Sequence, residues 1–312
     1  MLDVKRLRVL REVHLKGSFS AAAESLSYTQ SAVSQQIAAL EREAGTLLVE
    51  RNARGVRLTE AGRALVVHAD AIVARLAAAE RDLEAIAGLR GGTLRLVAFP
   101  TAAASVLPIA VARFRDRHPG VDLTLEPLEP QEGLEALKAG DADVAVTVDA
   151  TFAPIEDEGL ELRHILDDPM FVALPLNHPL ANRPSLELED LSGESWILGM
   201  SASKCPDTAI MLRHCLAAGF EPRIAFQSDD YQAIQGFIAA GVGVALIPDL
   251  GLVSKRDDIV VRELACAPHR RVVAATMSGD TRGPAAGAML DILEDVGREW
   301  ASQRTAALEL VG

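Results

Sequence analysis

The fold of this 312-residue chain is constrained most by one short stretch, residues 19–40, which reads FSAAAESLSYTQSAVSQQIAAL. Its apolar side chains recur at three- and four-residue steps in two runs: Ala22, Ala23 and Leu26, then Val33, Ile37 and Leu40. Such spacing places the apolar side chains on one buried face of each helix. Since residues 27–29 interrupt the pattern, the sequence predicts two short helices joined by a tight turn.

The second of these helices carries small polar side chains away from its buried face. Its candidate amino-terminal cap is Thr29, whose hydroxyl would accept a backbone N–H. The exposed face after the cap holds Gln30, Ser31, Ser34 and Gln35. A glutamine amide matches the major-groove edge of adenine, and serine hydroxyls suit phosphate oxygens or base edges. The face is therefore suited to double-stranded DNA, although an ordinary solvated face on a helical hairpin has the same pattern.

The segments on either side of this helix pair extend the predicted unit. Residues 3–15 have apolar side chains at helical spacing, and Gly17 is a reasonable stop for that first helix. After Gly45, the segment LLVERNARGVRLTEAG predicts a two-stranded wing that turns near residue 55. The wing contains Arg51, Arg54 and Arg57. Guanidinium groups there would reach phosphates or a narrow minor groove, although any exposed turn also tolerates them.

Length, composition and charge favour a soluble protein of two or three domains. With 49% hydrophobic and 24% charged residues, the chain can bury a sizeable core. Charged residues interrupt every apolar run well short of a membrane span, so we expect a cytoplasmic protein without membrane contact. The net charge is −13, but residues 1–58 carry nine Lys or Arg and six Asp or Glu, a net charge of +3, which leaves −16 elsewhere. Any contact with nucleic acid is therefore expected at the amino end.

A long helix is predicted from Thr59, a candidate cap, to about residue 87, because this segment is rich in alanine and has no proline. Its apolar residues follow a heptad pattern that is typical of paired helices. The predicted dimerisation residues are Leu65, Ile72, Leu76 and Leu83. Packing of the same stripe against the chain's own carboxy-terminal domain is the alternative.

The remainder alternates strand and helix patterns, as α/β sheets do. Leu89-Arg90-Gly91-Gly92 breaks the helical pattern, so residues 88–92 are the predicted hinge. Strands are predicted at the segments LRLVAF, DLTLEP, DVAVTV, MFVALP, SWILGM, GVALIP and RVVAATM. Extended segments near residues 162–166 and 265–271 are predicted to cross between two subdomains, and a helix at 284–300 to return to the first.

The amino-terminal residues GSFSAAAESLSYTQSAVSQQIAALEREAG, followed by RGVRLTEAG, are similar to the winged helix-turn-helix of the LysR-type transcriptional regulators. This match spans residues 5–63. A further match in the carboxy-terminal region rests on GDADVAV at 140–146 and GVGVALIP at 241–248. One departure is Val49, where the family usually has phenylalanine before Glu-Arg. The smaller side chain puts the geometry of the wing in question.

The resemblance implies a DNA-binding regulator with no enzyme activity and no cofactor other than a small-molecule effector. By position, the family's recognition-helix contacts fall on Gln30, Ser31, Ser34 and Gln35, and its wing contacts on Arg51, Arg54 and Arg57. The family also implies dimerisation through the long helix, assembly of two dimers into a homotetramer, and an effector cleft resembling that of periplasmic binding proteins. Contact with RNA polymerase and binding to an interrupted palindrome at a promoter follow from the same resemblance.

Effector contacts are expected where strands end and helices begin, because ligands bind beyond the carboxyl ends of parallel strands. The candidates are Thr101, Ala102, Thr147, Ser201, Ser203, Lys204 and Asp229. Helix capping by the Thr, Ser and Asp side chains is an equally good interpretation. Lys204 would favour an anionic effector and Asp229 a cationic one, so the sequence leaves the effector's charge open.

Three cysteines are too few for a disulfide framework, but two of them raise an alternative. Cys205 and Cys215 lie in a region where some LysR-type regulators sense peroxide, so a redox switch must be considered. The predicted helix from residue 206 would separate the two sulfurs by about 15 Å along its axis, too far for a disulfide. His214 and Cys215 lack a second pair with the spacing of metal ligands, and nothing resembles a catalytic motif.

The predicted fold is α/β with an all-α winged helix-turn-helix amino-terminal domain, a long linker helix and a two-subdomain, periplasmic-binding-protein-like effector domain. The predicted boundaries are 1–58 for the DNA-binding domain, 59–87 for the linker helix, 88–92 for the hinge and 93–312 for the effector domain. Subdomain I comprises 93–162 and 268–300, and subdomain II comprises 163–267. A non-regulatory solute-binding protein or an enzyme with an accessory helical domain is the competing class.

Overall fold

The computed structural model describes residues 2–52, 55–86, 92–150, 154–199, 206–279 and 283–309. Its contacts divide the chain into two compact units, one formed mainly by residues up to Leu83 and the other mainly from Glu84 onward. The amino-terminal unit contains α1 (Val4–Lys16), α2 (Phe19–Ser25), α3 (Gln30–Ala44), β1 (Val49–Asn52), β2 (Gly55–Leu58) and most of α4 (Glu60–Ile86).

The helices of the amino-terminal unit begin and end where the sequence predicts. Asp3 and Ser18 cap α1 and α2 through their side chains, and Gly17 ends α1 in the left-handed conformation that glycine adopts without strain. Thr59 caps α4, its Oγ1 accepting a hydrogen bond from the N–H of Gly62 at 3.0 Å. The apolar faces of α1, α2 and α3 form one core with the base of the wing. The predicted three-helix unit and its two-stranded wing are confirmed.

The carboxy-terminal unit begins with β3 (Thr93–Ala98), α5 (Pro100–Ala104), α6 (Val106–Arg117), β4 (Asp122–Pro127), α7 (Pro130–Lys138), β5 (Val144–Asp149) and the long β6 (Leu160–Pro175). It continues with β7 (Ser185–Leu186), β8 (Ser195–Leu198), α8 (Pro206–Ala217), β9 (Arg223–Gln227), α9 (Tyr231–Ala239), β10 (Ala245–Pro248), β11 (Ile259–Leu264), β12 (His269–Met277) and α10 (Pro284–Glu309).

One hydrogen-bonded sheet passes through both halves of this unit, in the order β4-β3-β5-β12-β6-β11-β7, with β10 also paired to β6. The first part of β6 pairs with β12 as far as Pro169, and the part from Met170 pairs with β10 and β11. The chain therefore crosses between subdomains at Pro169. The predicted boundary at residue 163 is wrong, because β6 continues its pairing with β12 beyond that point.

Below, subdomain I means the elements from β3 to the crossing in β6, together with β12 and α10, and subdomain II means the elements between. Each subdomain has its own hydrophobic core. In subdomain I, α10 packs against α6 and the first part of β6, and a Cβ at Gly297 would lie 2.2 Å from the carbonyl oxygen of Ile165. The predicted return of the last helix to the first subdomain is confirmed, and the helix continues to Glu309.

Candidate nucleic-acid interface and ligand cleft

The polar face of α3 is exposed, as the sequence predicts. Thr29, Gln30, Ser31 and Gln35 are exposed and Ser34 is half-buried, whereas Val33, Ile37 and Leu40 on the opposite face are buried. The Thr29 hydroxyl accepts a hydrogen bond from the N–H of Ala32 at 3.2 Å and lies 3.0 Å from the Ser31 hydroxyl. The cap thus fixes where α3 begins and leaves both glutamine amides available. That these side chains contact DNA remains a prediction.

Two side-chain contacts hold α3 in its orientation within the amino-terminal unit. Arg6 of α1 donates from Nε to Oε1 of Gln36 at 3.2 Å. Glu41, near the end of α3, accepts hydrogen bonds from the backbone N–H groups of Leu48 and Val49 at 2.9 and 3.2 Å. The carboxylate of Glu41 therefore ties the helix to the first residues of the wing, so the two elements keep a fixed relation.

The wing is an antiparallel pair, β1 and β2, with Asn52 opposite Gly55. Val49 is only 8% exposed, so the smaller residue at this position is still buried beneath the wing. The N–H of Val56 donates to the carbonyl oxygen of Gly17, which fixes the wing to the end of α1. Arg57 is exposed. The predicted contact Arg54 and the side chain of Arg51 lie outside the described residues.

The predicted dimerisation stripe of α4 is partly engaged within the amino-terminal unit. Leu65 is half-buried and packs against the core of that unit, which includes the buried Val66 and Ala69, and its place in a dimer face stays a prediction. Farther along the helix, Ile72, Leu76 and Leu83 are 38%, 50% and 69% exposed. The apolar stripe is thus exposed only in the later turns of α4.

A buried arginine joins the two subdomains of the carboxy-terminal unit. Arg270, at the start of β12, donates from Nε to Asp168 at 2.7 Å, from Nη1 to Asp207 at 2.8 Å and from Nη2 to the Thr101 hydroxyl at 2.6 Å. Its guanidinium carbon lies 4.7 Å from the centre of the Phe99 ring. Thr101 belongs to subdomain I and Asp207 to subdomain II, so one guanidinium group connects the two sides.

This arginine lines a small cleft between the subdomains, with a cavity volume of about 40 Å³. Glu129 and Thr101 line the cleft from subdomain I, and Asp207, Asp229 and Tyr231 line it from subdomain II. The Tyr231 hydroxyl donates to Oδ2 of Asp207, the same oxygen that receives Nη1 of Arg270.

Burial and neighbouring charges shift several pKa values here. Burial raises the pKa of Asp168, and the Arg270 guanidinium opposes that shift. Burial also raises the pKa of Glu129, which the carboxylates of Asp229 and Asp207 raise further. For Arg270, burial lowers the pKa, but the carboxylates of Asp207 and Asp168 raise it well above its ordinary value. The guanidinium therefore stays charged although it is only 3% exposed.

Only part of the predicted effector set lies at this cleft. Thr101 and Asp229 line it, as expected from the end of β3 and from the start of the helix after Asp229. Two other candidates are not among the lining residues, and their contact with an effector stays a prediction. Ala102 is fully buried in the core of subdomain I, and the hydroxyl of the buried Thr147 donates to the carbonyl oxygen of Pro130 at 3.3 Å. The remaining candidates lie outside the described residues: Ser201, Ser203 and Lys204.

Comparison with known proteins identifies both units. Residues 4–63 match the family described as bacterial regulatory helix-turn-helix protein, lysR family, and residues 87–298 match the LysR substrate binding domain. The probable HTH-type transcriptional regulator LrrA of Synechococcus elongatus is 31% identical over 300 residues, which cover 96% of this chain and 98% of LrrA. The chain belongs to the LysR family of bacterial transcriptional regulators. It is therefore a ligand-responsive, DNA-binding regulator, as the resemblance predicts.

Other LysR-family proteins are similar over most of their length. The transcriptional dual regulator GltC of Bacillus subtilis is 31% identical, with 80% of this chain and 81% of GltC covered. Among solved structures, the LysR family regulator CbnR has a TM-score of 0.65 at 21% identity, covering 95% of this chain and 99% of CbnR. A full-length OxyR variant from Pseudomonas aeruginosa has a TM-score of 0.69 at 22% identity, covering 96% of this chain and 98% of OxyR. The structural likenesses concern the fold.

The two described cysteines of this LysR-family chain differ in exposure. Cys215 is fully buried, and burial raises the pKa of its thiol to about 12. Cys266 is exposed, and Cys205 lies outside the described residues. In the part of the chain that the structure describes, no cluster of His, Cys, Asp or Glu has the arrangement of a metal site. None of the helices described is long and apolar enough to span a lipid bilayer.

Sequence reasoning missed the charged residues at the centre of the cleft: Asp168, Asp207, Glu129 and Arg270. One available signal is that Asp168 and Arg270 carry opposite charges inside two apolar strands. A charge within a buried strand requires a partner. Arg270 lies within the predicted crossing segment at 265–271, whereas Asp168 lies just after the one at 162–166.

Proposed function

We propose that α3 reads base edges in the major groove and that the wing contacts the phosphate backbone beside it. The exposed row of Gln30, Ser31 and Gln35 carries this proposal, because amides and hydroxyls can donate and accept hydrogen bonds at base edges. Arg57 on the wing supplies positive charge near the same unit, as predicted also for Arg51 and Arg54. Such a regulator would work in the cytoplasm, where bacterial DNA lies.

The protein acts as a homodimer or as a homotetramer made of two dimers. The exposed side chains of Ile72, Leu76 and Leu83 support pairing of two α4 helices, because apolar heptad positions left in water are buried when two such helices associate. Pairing presents two α3 helices at once. The expected binding site is an interrupted palindrome at a promoter, since a two-fold symmetric protein matches a two-fold symmetric site. Regulation through RNA polymerase follows from that position.

A small-molecule effector binds in the cleft between the subdomains and alters DNA binding. Arg270 supports this coupling, because it touches Thr101 on one side and Asp207 on the other. A ligand that binds one arrangement of the subdomains better than another shifts the equilibrium between them, with coupling on the order of 1–3 kcal/mol. No enzymatic step is part of this function.

Variants of α3 and of the wing test whether α3 reads the bases and the wing contacts the phosphate backbone. Gln30→Ala should relax preference at one base position by about 1–3 kcal/mol, while Arg57→Ala should weaken binding evenly across sequences and reduce the salt slope by about 1. Binding of the full-length protein to a matched set of duplexes at several salt concentrations measures both. Two variants that behave alike would refute this assignment.

A redox-sensing regulator is the second candidate, and the burial of Cys215 argues against it. A thiol that is hardly ionised at neutral pH reacts slowly with peroxide, because the thiolate is the nucleophile. If Cys205→Ser abolished a response of DNA binding to peroxide, the redox function would replace the effector-binding one. A solute-binding protein without regulation would show no preference among DNA sequences.

A further inference from the structure

The charges that face the cleft are predominantly negative. Among the described residues, Glu129, Asp207 and Asp229 line it with carboxylates, and Arg270 lines it with a guanidinium group. That guanidinium is also paired with the fully buried Asp168. Among the described residues, three carboxylates and one guanidinium thus line the cleft, and that guanidinium is already paired with Asp168, so the cleft favours positive charge.

Arg270 is poorly placed to receive an anion. Each of its three nitrogens already donates to a protein oxygen, on Asp168, Asp207 and Thr101, and the Phe99 ring covers one face of the guanidinium. An anionic ligand would meet a guanidinium whose charge is already shared between the carboxylates of Asp168 and Asp207. It would also approach the carboxylates of Glu129 and Asp229.

Asp207, which lines the cleft, has one carboxylate oxygen without a donor among the described residues. Both hydrogen bonds recorded for the side chain of Asp207, from Arg270 and from Tyr231, go to Oδ2. Oδ1 is buried and, among the residues that the structure describes, no donor reaches it. A buried acceptor without a hydrogen bond is costly, so this oxygen is suited to an N–H donor of a ligand.

The carboxylates also oppose each other across the cleft. Glu129 lies just before α7 in subdomain I, and Asp229 lies just before α9 in subdomain II. The charge of Asp229 is the strongest of the neighbouring charges that raise the pKa of Glu129, with Asp207 next, and Glu132 adds a smaller effect. Like charges on the two subdomains resist closure of the cleft, and a cation between them would remove that resistance.

We propose that the effector is a small organic cation, an amine or a guanidine, whose charged group lies between Glu129 and Asp229 and donates a hydrogen bond to Oδ1 of Asp207. This inference rests on the proposed effector site. A metal ion is the poorer occupant, since no group of metal-ligating side chains with suitable geometry is found in the described part of the chain. Bound between the subdomains, the cation favours the closed arrangement.

Calorimetric titration of the full-length protein tests this proposal with three cations, arginine, agmatine and putrescine, and one anion, glutarate, at equal ionic strength. At least one cation should bind saturably, and Glu129→Gln should weaken its binding by about tenfold or more. Glu135→Gln is the matched control, because it removes the same charge from an exposed position on α7 outside the cleft. It should leave the affinity unchanged.

Three results would overturn the cationic effector: no binding of any of the three cations, equal affinity in wild type and Glu129→Gln, or glutarate binding that Lys204→Ala removes. Thermal unfolding of each variant shows that it is folded. Binding of the same protein preparations to duplex DNA distinguishes failure of the proposed ligand class from failure of the proposed function. Intact sequence-specific DNA binding with a failed titration refutes only the ligand class, whereas loss of DNA binding in the wild type refutes the proposed function itself.

Discussion

Arg270 and Asp168 lie directly opposite each other on the two strands that cross between the subdomains, and their side chains form an ion pair of 2.7 Å that is almost completely buried. The same guanidinium reaches Thr101 in subdomain I and Asp207 in subdomain II. A small change in the angle between the subdomains would therefore change the partners of Arg270 first. Arg270 thus connects the cleft to both subdomains at the point where the chain crosses between them.

Removal of the buried guanidinium should be strongly destabilising. Arg270→Met leaves Asp168 buried without its partner, and breaking a buried pair in this way costs about 3–5 kcal/mol. The adjacent Arg271→Met is the control, because Arg271 is 49% exposed and its nearest carboxylate oxygen lies 3.7 Å away. That change should cost less than about 1 kcal/mol. Urea unfolding measures both, and similar midpoints for the two variants would contradict the role of Arg270.

Glycine to alanine changes should have opposite effects at two helical positions. A Cβ at Gly62 in α4 would lie 2.1 Å from the carbonyl oxygen of Leu48, whereas a Cβ at Gly236 in α9 meets nothing within 4 Å. Gly62→Ala should destabilise the protein by about 1–3 kcal/mol through this clash. Gly236→Ala should stabilise it by about 0.5–1 kcal/mol, because alanine is the better helix former. If thermal unfolding showed a change in stability of the same sign for both variants, α4 would not approach the residues before the wing closely.

The two described cysteines should differ in reactivity. Burial raises the pKa of the Cys215 thiol to about 12, so almost none of it is ionised at pH 8, whereas Cys266 is exposed. Iodoacetamide at pH 8 should label Cys266 at least about tenfold faster than Cys215 in the folded protein, because the thiolate is the reactive form. Peptide mass analysis measures the two rates. Labelling in urea, where both thiols are exposed, is the control and should give equal rates. Equal labelling rates for Cys215 and Cys266 in the folded protein as well would mean that Cys215 lies at the surface.

Glu129 should make stability depend on pH. In the folded state, burial and the carboxylates of Asp229 and Asp207 raise the pKa of Glu129. The stabilisation that Glu129 contributes is therefore fully present below its unfolded pKa and is lost as pH rises through its folded pKa. Glu129→Gln should therefore stabilise the ligand-free protein at pH 7 by on the order of 0.5 kcal/mol, and by less at pH 4. Glu135→Gln should show no such difference. A stabilisation that is the same at both pH values would exclude repulsion across the cleft as its source.

The amino-terminal unit could be predicted from sequence because its signals are local. The caps at Thr29 and Thr59, the stop at Gly17 and the apolar spacing in α3 each depend on residues within a few positions. The sequence did not predict the two-residue β7, nor β9 and β11, because β9 is exposed along its length and β11 contains Arg262 and Glu263, so neither resembles a buried strand.

The cleft was predicted only in part because it is formed by residues distant in sequence. Thr101 was found from a strand end and Asp229 from the start of a helix, but Asp168 and Arg270 are far apart in the chain and meet through the pairing of β6 with β12. The heptad pattern also did not reveal that Leu65, in the first turns of α4, packs on the amino-terminal core. Local patterns fix the helices here, whereas tertiary pairing decides which charges meet.

Selection of duplexes from a random pool by the full-length protein tests directly whether the protein recognises a specific DNA sequence. We expect enrichment of an interrupted palindrome, with affinity for the selected site at least about a thousandfold tighter than for unrelated duplex. Gln30→Ala should broaden the selected set at symmetric positions in both half-sites. A pool that stays random after repeated selection at low and moderate salt would contradict sequence-specific DNA binding by this protein.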